Sequence, residues 1–446
     1  MGSLNNGHLD SDPEDDKEVD LELRRAVREL LEGMGEDSGR EGLRRTPLRV
    51  SKSLLQATRG YRQKVKDIVH GALFPEVGLR KEIGQAGGAG GLVVVRDLDL
   101  FSYCESCLLP FRVKCHIGYI PSGHRVLGLS KLSRVADVFA KRLQHPQRLA
   151  DEIASALHDS INPAGVAVTL ECSHIYIPNV ESIFVDSENR GWLEVVVSAG
   201  SGVFEDRRSD AWIDFVNLRK SRGPTVNGQR TEDDICEYWC PLVATDPSSI
   251  EMLYPELTAL VTSIIRSLGE NPVRKELAGT PARFLKWLMN FQNASLQIDL
   301  GNLDICPLDP SRPKRGENGH TEHLDSELNL PFCALCEHHL LPFHGVVHIG
   351  YIHAQGSNPP GRSLLQSIVH FYGFKLQLQE KLTRQIAETV SPLLGGNIMV
   401  VVEASHCCMI SRGIEKIGSS TATVAVLGRF SSDASLRAKF FQSIRE

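Results

Sequence analysis

The chain has 446 residues, 41% hydrophobic and 23% charged, with a formal net charge of -6. That length leads us to expect two domains, the composition is that of an ordinary globular protein, and the missing basic excess argues against general nucleic-acid binding. No run reaches the roughly 18 to 20 uninterrupted apolar residues of a membrane span, so no membrane association is expected.

The opening MGSLNNGHLDSDPEDD is acidic and lacks an apolar h-region. It reads as a disordered leader over residues 1–20 of a cytoplasmic protein. Its Met-Gly does not make a myristoylation site, because Asn6 stands where that motif wants Ser or Thr. Thr46-Pro47 signals a helix start, with Thr as the cap and Pro in the first helical position, and RVSKSLLQATRGY continues with helical spacing. GQAGGAGG at 84–91 is expected as a loop tip. LVVVRDLDLF and RVKCHIGYI then alternate as strands, SKLSRVADVFAKRLQ and QRLADEIASALHDSI follow as amphipathic helices, and VAVTLEC is a further strand. The polar stretch 218–234, LRKSRGPTVNGQRTEDD, is a linker.

The second half repeats the first. Thr280-Pro281 and RFLKWLMNF give another helix start, and the polar, Pro-rich 306–327 is expected as a mobile insertion whose His320 and His323 are merely solvated. CALCEHHLLPF at 333–343 then answers SYCESCLLPF at 102–111. Cys104 to Cys336, Gly118 to Gly350 and His174 to His406 are each 232 positions apart. A constant offset that long means a duplicated domain rather than a solenoid. We expect an N-terminal domain over 21–217 and a C-terminal domain over 235–446, both α+β with antiparallel sheets.

Eleven cysteines without a secretory signal suggest reduced thiols, a few of them put to metal or catalytic use. Cys336, His339 and a cysteine from HCCMISRG could supply two thiolates and an imidazole, leaving the fourth tetrahedral position of a catalytic zinc open. If NIMVVVEASHCC is a strand, His406 and Cys408 share a face, which selects Cys408 over Cys407. Cys-x-x-His alone is a weak signal; the shared face of two clusters strengthens it. His338 and His406 lie close enough in sequence to the ligands for proton transfer, with simple packing as the alternative for either. Cys236 and Cys240, in CEYWC, have no matching second pair and read as core.

With LCEHHLLPF, SHCCMISRG and LQLQE in the second half and GLSKLSR in the first, the chain resembles GTP cyclohydrolase I in its tandem, plant-type form, over nearly all of residues 21–446. The resemblance implies two tunnelling-fold (T-fold) domains with helices on one side of each sheet, and a homo-oligomer. It also implies a zinc hydrolase acting on GTP and water. The enzyme opens the imidazole ring at C8, releases formate and closes 7,8-dihydroneopterin triphosphate, the first step towards folate pterins. On matching positions, Cys336, His339 and Cys408 become the zinc ligands and His338 and His406 the proton-transfer histidines. Gln379 and Glu380 become the guanine-reading pair and Arg412 a phosphate contact.

Neither half carries the whole pattern. The triphosphate-holding Ser130, Lys131 and Arg134 are intact in the first half; in the second Ser363 remains, but Leu364 and Ser367 replace the cations. The first half instead has Tyr176 and Val180 in place of the ligand cysteine and the arginine, and Pro146 and Gln147 in place of the guanine pair. A division of labour is expected, with metal and base recognition in one half and the phosphate grip in the other. The competing view is that the first half has decayed into a structural or regulatory partner. A rival of another class is a catalytically weak GTP-binding protein or a zinc-stabilised scaffold. Cys104 and Cys107 are expected to be inert buried thiols. GHRVLGLSK at 123–131 has the glycine spacing of a P-loop, but Leu129 and Ser130 stand where it needs Lys and then Ser or Thr. Phosphates are expected to meet Ser130 near a helix N-terminus instead.

Overall fold

The structure, a computed structural model, describes residues 13–75, 91–122, 125–175, 192–219, 239–240, 252–291, 323–353, 360–413 and 419–445. They fall into two compact units, one drawn from described residues within 13–36, 50–175 and 192–286 and the other from those within 37–49 and 287–445. The repeat boundary in the sequence and the units therefore do not coincide: residues 37–49 of the first half belong to the second unit, and the second half up to 286 belongs to the first.

In the first unit, β1 (Leu73–Pro75) pairs with β4 (Arg125–Leu127), while β2 (Val93–Cys104), β3 (Pro110–Ile120), β6 (Gly165–Ile175) and β7 (Trp192–Gly202) form an antiparallel run, and the short β5 (Leu143–Gln144) joins β2 in parallel. In the second, β8 (His323–Cys336), β9 (Pro342–His353), β11 (Ile398–His406) and β12 (Thr421–Leu427) repeat the run, with β10 (Leu376–Gln377) parallel to β8. Both are the expected α+β T-fold sheets, made mixed by that one short edge strand. The likeness extends to irregularities. The register slips between Val95 and Leu98 and between Glu327 and Leu330, where Asp97 and Asn329 take φ of 56° and 55°. Asp and Asn tolerate that left-handed conformation, and a bulge gives it a place.

Helices pack on the sheets through one apolar stripe each. The helix Pro146–Ile161 buries Leu149, Ala150, Ile153, Ala154 and Leu157, at spacings of three and four, against β6 and β7. The helix Gln379–Val390 buries Leu382, Ile386 and Val390 against β11 and β12 in the same way. Within the first unit, the helix Pro13–Gly33 packs on the helix Pro255–Ser267, so closely that a Cβ on Gly33 would lie 2.2 Å from the Leu257 side chain.

Three expectations change. The first helix already runs from Pro13, inside the supposed leader, because proline is tolerated at the first position of a helix. Strand β8 starts at His323, inside the expected insertion, because Asp325, Ser326 and Glu327 are held in register by Tyr351, Gly350 and Ile349. The Thr46 and Thr280 hydroxyls donate to the carbonyls of Glu337 and Glu105, each at 2.6 Å, and Thr280 Oγ1 accepts from the Arg283 side chain at 3.3 Å. The loop at 84–90, most of the linker, Cys236, His320, Tyr176 and Val180 lie outside the described residues. Among the described residues no helix is long and apolar enough to cross a membrane.

Candidate active site

Strand β8 ends on Cys336, and a tight turn leads into β9. The Cys336 N–H donates to Leu341 O at 2.9 Å, and the Leu340 N–H donates back to Cys336 O at 3.0 Å. The turn requires Leu340 at φ 52°. Pairing of β11 with β9 sets His406 opposite Phe343, and their rings stack at 4.6 Å. The strand stops at His406 and a helical turn, Cys407–Ile410, begins at once. The alternation used to choose between the two cysteines therefore ends short of them. Even so, it is Cys408 that turns inward: the ligand atoms of Cys336, His406 and Cys408 lie within 4.8 Å of one another.

Charge follows from this packing. Hydrogen bonding from Cys408, then from His339 and His406, outweighs burial and holds the Cys336 thiol far below the usual range, as a thiolate. The same bond to Cys336, with burial, pushes Cys408 up. One proton is shared between two thiols, an arrangement that a divalent cation would relieve. Cys407 is buried elsewhere and lifted to about 12 by burial, so it stays a thiol. Nδ1 of His339 is buried without a hydrogen-bond partner. Two soft sulfurs and the imidazole of His406 fit zinc, whereas His339, the imidazole expected as a ligand, hydrogen-bonds to Cys336 but stands outside that group of mutually close donor atoms.

Around this centre, burial and then the nearby Arg49 pull His338 below the usual histidine range. Gln379 is buried, and its amide donates to Val402 O at 3.0 Å and Thr421 O at 2.8 Å. That fixes Oε1 towards His406, whose Nε2 sits 2.8 Å away and donates to it. Glu380, next in sequence, is exposed and opens on a groove of about 470 Å³ with Thr383, Arg384 and Thr423, which includes none of the thiols. Arg412 donates through Nε to Cys408 O at 2.6 Å and so braces the turn carrying that cysteine.

The residues expected to hold phosphate lie where a helix begins. Ser130, Lys131 and Arg134 occupy the first turns of the helix Leu129–Ala140 in the first unit, Ser130 and Arg134 exposed and Lys131 half-buried. Ser363 is exposed on the helix Arg362–Gly373, where the Ser367 hydroxyl only donates to Ser363 O. Sequence reasoning passed over Glu337, between Cys336 and the histidines. Its side chain is 2% exposed, held by Arg40 Nη1 at 2.7 Å, and its carbonyl takes the Thr46 hydroxyl. Glu105 repeats this with Arg274 at 2.6 Å and Thr280. The retained Cys-Glu pair in both halves was the available signal.

The family model for GTP cyclohydrolase I matches the chain twice, over residues 23–209 and 257–445. The chain belongs to the GTP cyclohydrolase I family. A GTP cyclohydrolase 1 of Solanum lycopersicum is 58% identical over 456 residues, spanning 100% of this chain and 98% of that protein. One of Arabidopsis thaliana is 57% identical over 429 residues, spanning 95% and 90%. The Dictyostelium discoideum protein of the same name is 44% identical over 200 residues, 45% of this chain and 78% of its own length. Two matches of the model to one chain agree with the 232-position offset and with the paired sheets.

Proposed function

We propose that this chain is a zinc-dependent GTP cyclohydrolase I that opens GTP at C8, releases formate and forms 7,8-dihydroneopterin triphosphate. The observation that carries the reading is the convergence of Cys336, Cys408 and His406, whose ligand atoms lie within 4.8 Å of one another, with His339 hydrogen-bonded to Cys336 beside them. Cys336, His339 and Cys408 would hold the zinc ion, which when bound would make water nucleophilic near neutral pH. His406, with Nε2 committed to Gln379 and its ring hydrogen-bonded to Cys336, stands beside the metal donors, where it would pass a proton towards the ring nitrogens that C8 leaves. His338, its basicity lowered, is neutral at pH 7 and suited to accept one.

Glu380 accepts from guanine N1–H and the exocyclic amine, as a carboxylate can. Gln379 acts through His406 and is a positioning residue. Ser130, Lys131 and Arg134 hold the triphosphate; on sequence grounds alone, the active sites draw on both halves, because Leu364 and Ser367 cannot replace those cations. Val424, 48% exposed on the outermost strand of its sheet, supports a homo-oligomer.

Incubating the purified chain with GTP tests the reading: formate and a pterin chromophore should appear together. Zinc retained without either product would favour the GTP-binding or scaffold alternative.

A further inference from the structure

The first half was expected to hold inert thiols, but its residues converge. Cys104 and Cys107 sit on a turn that copies the one at Cys336: the Cys104 N–H donates to Leu109 O and the Leu108 N–H to Cys104 O, both at 2.8 Å, with Leu108 at φ 58°. Cys107 therefore occupies the place of His339, one metal-binding residue type for another. His174 occupies the place of His406. The missing second thiolate comes from Cys240, between the two stretches that the family model matches. The ligand atoms of Cys104, Cys107, His174 and Cys240 all lie within 4.8 Å of one another, and all four residues are buried.

The histidine is set up as a ligand. Its Nδ1 lies 2.9 Å from Ile175 O, which can only accept, so Nδ1 carries the proton. Nε2 then presents its lone pair inward, 3.3 Å from Cys107 Sγ. Donors around a tetrahedral zinc stand about 3.3 to 3.8 Å apart, given metal–donor bonds of about 2.0 to 2.3 Å. Trp239, 1% exposed, closes the cluster: its ring meets those of His174 and Phe111 edge-on at 5.3 and 5.2 Å.

We propose that Cys104, Cys107, His174 and Cys240 bind a structural zinc ion that fastens the segment around Cys240 to the rest of the first unit. Three thiolates and one imidazole complete a tetrahedron and leave no position for water or substrate, so the site has no part in turnover. Its support is independent of the proposed activity. Binding releases the thiol protons and ties Cys240 to residues far upstream, which stabilises the first unit against unfolding.

Metal analysis of the full chain tests it. Wild type should carry two zinc ions per chain, and Cys240→Ser one, with formate release kept. Cys408→Ser should also carry one, and Cys408→Ser combined with Cys240→Ser none. Cys240→His restores a donor and should restore the ion, which separates ligand loss from misfolding. Cobalt loaded into Cys408→Ser should show the visible bands of tetrahedral Co²⁺ with thiolate charge transfer, lost on adding Cys240→Ser. A Cys408→Ser chain that binds neither zinc nor cobalt overturns the proposal, as does resistance of Cys107 and Cys240 to alkylation until a reductant is added. Wild type holding a single zinc that disappears only in Cys240→Ser would uphold this site and count against the metal centre of the second half.

Discussion

His406 donates from Nε2 to Gln379 Oε1 at 2.8 Å, and both amide hydrogens of Gln379 are spent on the carbonyls of Val402 and Thr421. The imidazole thus has one orientation, set by β11 and β12. Gln379→Ala leaves two carbonyls and the imidazole N–H without their partner, which should cost about 1 to 3 kcal/mol of stability. Turnover should fall about tenfold or more with zinc retained, because the proton-transfer group loses its aim. Thermal melts, metal content and kcat check the three parts.

Cys336→Ser and Cys408→Ser should each lose the second-half zinc and the activity, since each removes one of three protein donors. Cys407→Ser should keep both, because its thiol is buried away from Cys336 and lifted to about 12 by burial. Zinc analysis beside formate release distinguishes the three variants.

Lys131→Ala and Arg134→Ala should each weaken GTP use roughly ten- to a hundredfold, the scale of one hydrogen bond to a charged phosphate. Zinc content should not move. Wild-type kcat/KM in both would refute the division of labour.

Arg40→Ala should destabilise the second unit by about 3 to 5 kcal/mol, because it strands the Glu337 carboxylate, 2% exposed, with only Lys381 at 3.6 Å. Adding Glu337→Gln should return part of that loss. A double-mutant cycle on denaturant melts measures the coupling.

Glu270 gives a pH dependence. Burial would raise its pKa, but the Tyr61 hydroxyl, the Asn271 N–H and Arg274 outweigh it and hold the carboxyl below 4.5. With the folded pKa below the unfolded one, the stabilisation is present above about 4.5 and is lost as pH falls through the folded value. Glu270→Gln should therefore melt lower than wild type at pH 7, and the gap should close on acidification.

Much of this was legible in one sequence. The duplication showed as a fixed offset, and the helices on the sheets showed as apolar stripes at spacings of three and four. The nearness of Cys336 and Cys408 was foreshadowed by two short motifs, although His406 rather than His339 completes their group. Three features did not show. Cys240 joins its partners from a stretch with no periodicity, and no local pattern announces a fourth donor. The tasks of Gln379 and Glu337 rest on partners distant in sequence. The end of β11 at His406 turns on a helical start that strand alternation cannot foresee.

The exchange of segments also bears on how the protein could have diverged. Arg40 and Thr46, encoded with the first copy, hold Glu337 in the second unit, while Arg274 and Thr280, encoded with the second copy, hold Glu105 in the first. A deletion of either copy would strip the survivor of its own clasp, so natural selection sees the pair as one heritable piece. Under that bond each copy is at liberty to lose parts of its chemistry without being discarded, and the repeat boundary is a poor place to divide the chain for expression.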